Sequence, residues 1–206
     1  MKILSPLLIG YGLGSLSPAA LVAKLKHTDL RAQGTGNMGG SNTMLVIGRG
    51  WGMLVMLLDI LKGYFSVRIA RWLFPQTVVA ALLAGLGSVL GHVFPFTMHF
   101  RGGKGLAAFG GMILAWDRSV FLFLLLLGGA IMFLTNASVA MPLTAAFLFP
   151  ILVLLKTADL FQFLIAAAAS ALIAVKHWSD IHKIRSGKGL DMRAFFRNRL
   201  QDRSGR

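Results

Sequence analysis

Apolar residues run through this chain in long blocks, not in the alternating or one-faced patterns of a soluble fold. Seven blocks stand out, at 3–23, 51–73, 76–98, 104–116, 119–135, 138–155 and 158–176. Blocks of this kind suit helices that cross the roughly 30 Å hydrocarbon core of a bilayer. Lipid offers no partner to a backbone amide, so helices are the economical way to bury such segments. The expected fold is all-α: a polytopic membrane helical bundle of about seven transmembrane helices. The fourth block is short, and the joins around 116–119 and 135–138 are tight.

The polar positions between the blocks set a direction. With the amino terminus outside, the inner side holds Lys24, Lys26, Arg31, Arg49, Arg101, Lys104, Lys176 and the eight basic residues beyond it. The outer side holds Lys2, Arg68, Arg71, Arg118 and Lys156. Fifteen against five satisfies the positive-inside rule and puts the carboxyl terminus in the cytoplasm. The first block could pass for a cleaved signal, but its length and its Gly10-Tyr11-Gly12-Leu13-Gly14 run suit a retained helix packed against others. The expected organisation is one transmembrane domain, 1–176, followed by a basic cytoplasmic tail, 177–206, with an interfacial helix around 192–200.

Composition narrows the function classes. A mean hydropathy of +0.71 excludes an ordinary soluble domain. The net charge of +14 sits at helix ends and in the tail, which suits anionic lipid headgroups and argues against nucleic acid. The absence of cysteine removes disulfides, thiolate metal sites and a cysteine nucleophile. All seven acids are aspartate, so carboxylates for acid–base chemistry are scarce.

Two glycine runs interrupt the apolar blocks on the expected cytoplasmic side. The first, Gly34-Thr35-Gly36-Asn37-Met38-Gly39-Gly40-Ser41-Asn42, follows Lys26 and Arg31. Glycines permit positive φ, which can turn successive amides toward one anion, whereas a flexible interhelical turn needs no fixed asparagines and hydroxyls. The second, Arg101-Gly102-Gly103-Lys104-Gly105, leads into a helix whose amino terminus and lysine favour a phosphate. Charge decoration alone explains the basic residues but not three glycines. The spacing is not that of a nucleotide-binding P-loop.

Further polar groups lie in or beside the apolar blocks. Asp59 and Lys62 share one face of the second block. An aspartate in mid-membrane costs about 2.5–3.5 kcal/mol, so the two read either as a bracing pair or as a lysine reaching the phosphate site with its orienting acid. His92 and His177, with Asp180 close by, could donate to a phosphoryl or carbonyl oxygen or act as bases, or could pack at the membrane interface. No spacing suggests a metal site.

These residues carry a resemblance. Tyr11-x-x-Gly14-Ser15, Asp29-Leu30-Arg31 and Gly34-Thr35-Gly36-Asn37-x-Gly39-x-x-Asn42 resemble the first signature of the bacterial acyl-phosphate:glycerol-3-phosphate acyltransferases, the PlsY family. Leu58-Asp59-x-x-Lys62-Gly63 is similar to that family's second span. Gly91-His92-x-x-Pro95-x-x-x-x-Phe100-x-Gly102-Gly103-Lys104-Gly105 resembles its second signature, and His177, Ile181 and Gly187 fall where its third would lie. The similarity spans residues 10–188.

The resemblance implies a multi-pass enzyme of the bacterial cytoplasmic membrane with its site facing the cytoplasm. It would move an acyl group from acyl phosphate to the 1-hydroxyl of glycerol 3-phosphate, giving lysophosphatidic acid, without a cofactor. Thr35, Lys104, His177 and Asp180 would be catalytic. Gly34, Gly36, Asn37, Gly39, Asn42, Lys62, His92, Arg101, Gly102, Gly103 and Gly105 would bind substrate, with Asp59 structural. Its partners would be the two substrates and membrane lipids.

The chain departs from the family pattern at four places. Thr35 stands for a serine, Leu45 for an arginine, Asp180 for an asparagine and Gly189 for a glutamate. Losing the arginine removes a bidentate phosphate clamp, for which Arg49 or Arg101 could substitute. An aspartate beside a dianion adds repulsion. Acyl phosphate is already activated, so it asks mainly for charge stabilisation, and Thr35 lacks a histidine–carboxylate relay, so direct transfer is expected. The hydroxyl proton could go to His177, to His92 or to a substrate phosphate. Two other readings stand beside the enzyme: a weak or inactive homologue that binds lipid headgroups, and an organic-anion transporter.

Overall fold

Residues 3–185 are described by the computed structural model, and every regular element among them is helical. In chain order these are α1 (Leu4–Gly14), α2 (Pro18–Leu25), α3 (Gly40–Val46), α4 (Arg49–Leu73), α5 (Ala80–Val93), a 3₁₀ turn (Phe96–Met98), α6 (Leu106–Trp116), α7 (Arg118–Thr135), α8 (Ala140–Thr157) and α9 (Leu160–Arg185). Five segments have the length and apolarity of a membrane crossing: Leu4–Leu25, Ala80–Met98 and the three from Arg118 to His182. The polytopic bundle expected from the apolar blocks is present. The other two blocks correspond to α4, whose apolar character is diluted by Asp59, Lys62, Arg68 and Arg71, and to the short α6.

The first block is not one helix. Ser17 caps α2 by accepting from the Ala20 amide at 3.2 Å, and Pro18 occupies its first turn, so the chain breaks between α1 and α2. A break at membrane depth frees carbonyls that need donors. Thr97 donates its hydroxyl to the Ser15 carbonyl at 2.6 Å, and Lys62 donates to the Leu16 carbonyl at 2.9 Å.

Small residues bring backbones into contact. A Cβ on Gly10 would fall 1.9 Å from the Ala84 carbonyl oxygen, and one on Gly14 would fall 2.2 Å from that of Ser88. Gly87 and Gly91 meet Leu7 and Tyr11 in the same way. The pairs advance together along both helices, so α1 and α5 run parallel through a seam of small residues. Gly63 on α4 and Gly111 on α6 make a second such seam.

The central core lies among α5, α6, α8 and α9, where Phe109 and Trp116 each meet Phe149 edge-on at 5.4 and 5.6 Å. Helix α7 buries only Val120, Leu124 and Gly128, which leaves most of its apolar surface for lipid. Its N-cap, Asp117, accepts from the Val120 amide at 2.9 Å and pairs with Lys156. Partial burial works against this carboxylate, but Lys156 and the amide outweigh it and hold Asp117 below the usual aspartate range.

Helix α9 carries on past residue 176 to Arg185, so His177 and Asp180 sit on a continuous helix. The helix expected around 192–200 and Gly189 lie outside the described residues.

Candidate active site

Each glycine run is held by a different device. In the first, Asp29 closes a turn by accepting from the Arg31 amide at 2.8 Å. Gly34 and Gly36 adopt φ of +61° and +71°, where a side chain would be strained. Asn42, fully buried at the start of α3, clasps the loop: its Oδ1 accepts from the Thr35 amide at 2.7 Å, and its Nδ2 donates to the carbonyls of Leu30 at 2.8 Å and Gln33 at 3.2 Å. The hydrogen bonds of this amide go to the loop itself. Asn42 was expected to touch substrate; its structural place is to shape the loop that leaves Thr35 exposed and Asn37 half-buried.

The second run folds back onto the end of α5. The Gly102 amide donates to the Val93 carbonyl and the Gly103 amide to that of His92, both at 3.1 Å. Gly102 and Gly103 were expected to bind substrate; in the structure their amides satisfy carbonyls that the helix end leaves without partners. Their glycine identity has another cause. A Cβ on Gly102 would fall 2.0 Å from the His92 carbonyl oxygen, and one on Gly103 would fall 2.3 Å from His92 Nε2 and 2.7 Å from the Met38 carbonyl oxygen. His99 and Phe100, both at positive φ, and Gly105 at +88° carry the turn into α6.

Gly103 therefore rests directly against Met38, and the two glycine loops touch. Arg31 fastens them by donating to the Arg101 carbonyl at 2.8 Å and the Met98 carbonyl at 3.3 Å. Asn37 and Lys104 each lie one residue from the Met38–Gly103 contact. From the opposite side α9 brings Asp180, whose two carboxylate oxygens stand 2.5 Å from Lys104 Nζ. One turn back, buried His177 places Nδ1 2.8 Å from the Ile173 carbonyl oxygen. A carbonyl only accepts, so Nδ1 carries the proton and Nε2 of the neutral ring keeps its lone pair.

Beneath this junction lies a buried polar layer. Asp59 Oδ1 stands 2.8 Å from Lys62 Nζ and 3.3 Å from His92 Nδ1, and all three side chains are almost fully enclosed. Lys62 was expected to bind substrate, but its ammonium is held by Asp59 and the Leu16 carbonyl, which makes it a brace for the α1–α2 break. His92, also expected at the substrate, faces Asp59 with one nitrogen and the Gly103 backbone with the other. Removing Asp59 would leave Lys62 as a buried, uncompensated charge, so Asp59→Ala is expected to destabilise the fold by about 3–5 kcal/mol. Thermal unfolding of the purified protein in detergent reads this directly; an unchanged midpoint would show that the layer bears no stability.

The residues that sequence reasoning missed are connectors: Arg31 as the loop fastener and Thr97 as the donor to Ser15. Arg31 was visible as a basic residue beside the glycines, but its acceptors lie 67 and 70 positions away. Among the described residues, no group of three or more potential metal ligands is clustered.

Residues 4–187 match the family model for glycerol-3-phosphate acyltransferase. The chain belongs to that family. It is 39% identical over 190 residues to the glycerol-3-phosphate acyltransferase of Coxiella burnetii (strain Dugway 5J108-111), covering 91% of this chain and 96% of that one. The enzyme of Streptococcus thermophilus (strain CNRZ 1066) is 40% identical over 147 residues, with 71% and 68% covered. The crystal structure of PlsY (YgiH), an integral membrane glycerol 3-phosphate acyltransferase in its glycerol 3-phosphate form, superposes with a TM-score of 0.85 at 32% identity, covering 93% of this chain and 96% of that one. Its lysophosphatidic acid form gives a TM-score of 0.82. The family thus matches the core that builds both loops and carries α9.

Proposed function

We propose that this protein transfers an acyl group from acyl phosphate to the 1-hydroxyl of glycerol 3-phosphate at the junction of its two glycine loops, releasing lysophosphatidic acid and inorganic phosphate. The observation that carries this reading is the Met38–Gly103 contact, which joins the loops beside Lys104 and His177. Lys104 and the amino terminus of α6 attract phosphate oxygens, supported by the charges of Arg31 and Arg101. Thr35 and Asn37 supply hydrogen bonds from the first loop and orient the acceptor.

The acceptor hydroxyl attacks the acyl carbonyl, its C–O bond forms as the bond to phosphate breaks, and phosphate leaves with the electron pair. The hydroxyl proton passes to Nε2 of His177 and then to the departing phosphate. The site gains its rate from holding hydroxyl and carbonyl together and from cationic stabilisation of the leaving group.

The topology that serves this reaction has seven crossings, the amino terminus outside, and both loops with the end of α9 in the cytoplasm. The charge bias supports it. With no native cysteine, single cysteines at the exposed positions 33 and 118 should be labelled by an impermeant reagent from the cytoplasmic and outer sides respectively. The opposite pattern would refute the orientation.

The function is tested with purified protein in micelles given acyl phosphate and glycerol 3-phosphate. Phosphate release that depends on the acceptor, with lysophosphatidic acid formed in equal amount, is the expected result. Acyl phosphate turned over equally well without acceptor, or not at all, would overturn the assignment.

A further inference from the structure

Lys104 is the cation best placed to meet a substrate phosphate, yet its ammonium is already occupied. Both oxygens of Asp180 stand 2.5 Å from Nζ, with the two side chains 29% and 21% exposed. Among the described side chains, Lys176 on α9 lies over the Phe94 ring at 4.7 Å, and the cation paired with Asp180 is Lys104. A carboxylate offers an ammonium what a phosphoryl group offers it, two anionic oxygens on one centre. The two therefore compete for the same three N–H donors.

We infer that Asp180 is a built-in competitor for Lys104 that sets how strongly the site holds the phosphate of glycerol 3-phosphate. The inference rests on the acyltransferase reading above. Substrate entry exchanges one ion pair for another: the phosphoryl oxygens take Lys104, and the Asp180 carboxylate moves off toward solvent at the edge of the site. The displaced carboxylate remains near the bound dianion and repels it, which weakens binding a second time. Asp180 thus raises the acceptor concentration at which the enzyme half-saturates, while the reacting atoms stay under the control of Lys104, His177 and the loops. It is a positioning and affinity-setting residue, not a group that touches the transferred acyl carbon.

The test compares wild type with Asp180→Asn, which keeps shape but loses charge, and Asp180→Glu, which keeps charge. Acceptor KM and kcat are read in the acyl transfer assay, and Kd for glycerol 3-phosphate is read by calorimetry without acyl donor. The Asn variant should lower both KM and Kd roughly tenfold, corresponding to one charge-assisted contact no longer opposed. The Glu variant, which keeps the competing carboxylate, should bind glycerol 3-phosphate more weakly than the Asn variant. An Asn variant whose Kd is unchanged or weaker, in a protein that otherwise binds and turns over substrate, would overturn the role given to Asp180 and make the pair a support for Lys104. Wild-type protein that neither binds glycerol 3-phosphate nor transfers an acyl group would overturn the acyltransferase reading itself.

Discussion

Lys104→Ala is expected to lower kcat for acyl transfer by about 10²–10³-fold, the usual cost of removing one preorganised charge or donor from a transition state. The side chain lies at the only point where all three parts of the described site converge: the second glycine loop on which it sits, the first loop held against Gly103, and α9 through Asp180. In the proposed site this ammonium holds the phosphate of glycerol 3-phosphate next to the leaving phosphate, whose oxygens gain negative charge as the electron pair departs. The substitution also frees Asp180, so the local charge changes from balanced to negative and the loss exceeds that of a simple deletion. Because the Lys104–Asp180 pair is partly exposed, its removal should shift the unfolding midpoint little. A kinetic loss without a thermal one is the pattern to look for; activity within tenfold of wild type would remove Lys104 from the chemistry.

Gly103→Ala should be almost as damaging, for a geometric reason. Its backbone conformation is open to alanine, since Gly103 is not among the positive-φ glycines. The added methyl would instead meet His92 Nε2 at 2.3 Å and the Met38 carbonyl oxygen at 2.7 Å, and one of the two must move. The His92 ring is fixed from behind by Asp59, so the first loop gives way and Asn37 moves away from the second loop. A displacement near 1 Å between groups that hold two reactants costs about 10²-fold. The expected result is a fall of that size in kcat with a folded protein. Gly50→Ala, where a Cβ would meet nothing within 4 Å, serves as the control and should retain activity.

The helical membrane fold was legible because hydropathy alone encodes it, and the α1–α5 seam of small residues follows from sequence in part, through Gly10 and Gly14, whereas the α4–α6 seam through Gly63 and Gly111 does not. Other features lay hidden behind the same signals. The α1–α2 break was masked by unbroken apolarity, although Ser17-Pro18 is a helix-start signal. Helix α9 was cut short at 176 because hydropathy ends there, whereas Lys176-His177-Trp178-Ser179-Asp180 has nothing to stop a helix. For the site, the letters were informative and the reasons were not. Glycine can serve an amide aimed at an anion, a positive φ, or the close approach of two backbones. Gly34 and Gly36 turned out to need positive φ, and Gly102 and Gly103 close approach. Asn42 and Lys62 have polar heads that suit a phosphate, but each finds backbone carbonyls that only the folded chain brings near.

The account depends on the two loops acting as one site, and a double-mutant cycle across their contact tests that most directly. Kd for glycerol 3-phosphate is measured by calorimetry for wild type, Asn37→Ala, Lys104→Ala and the double variant. Residues that share a bound phosphate should couple, and the account predicts a departure from additivity of about 1 kcal/mol or more. Additivity within about 0.5 kcal/mol would place Asn37 and Lys104 in separate environments and contradict the shared site.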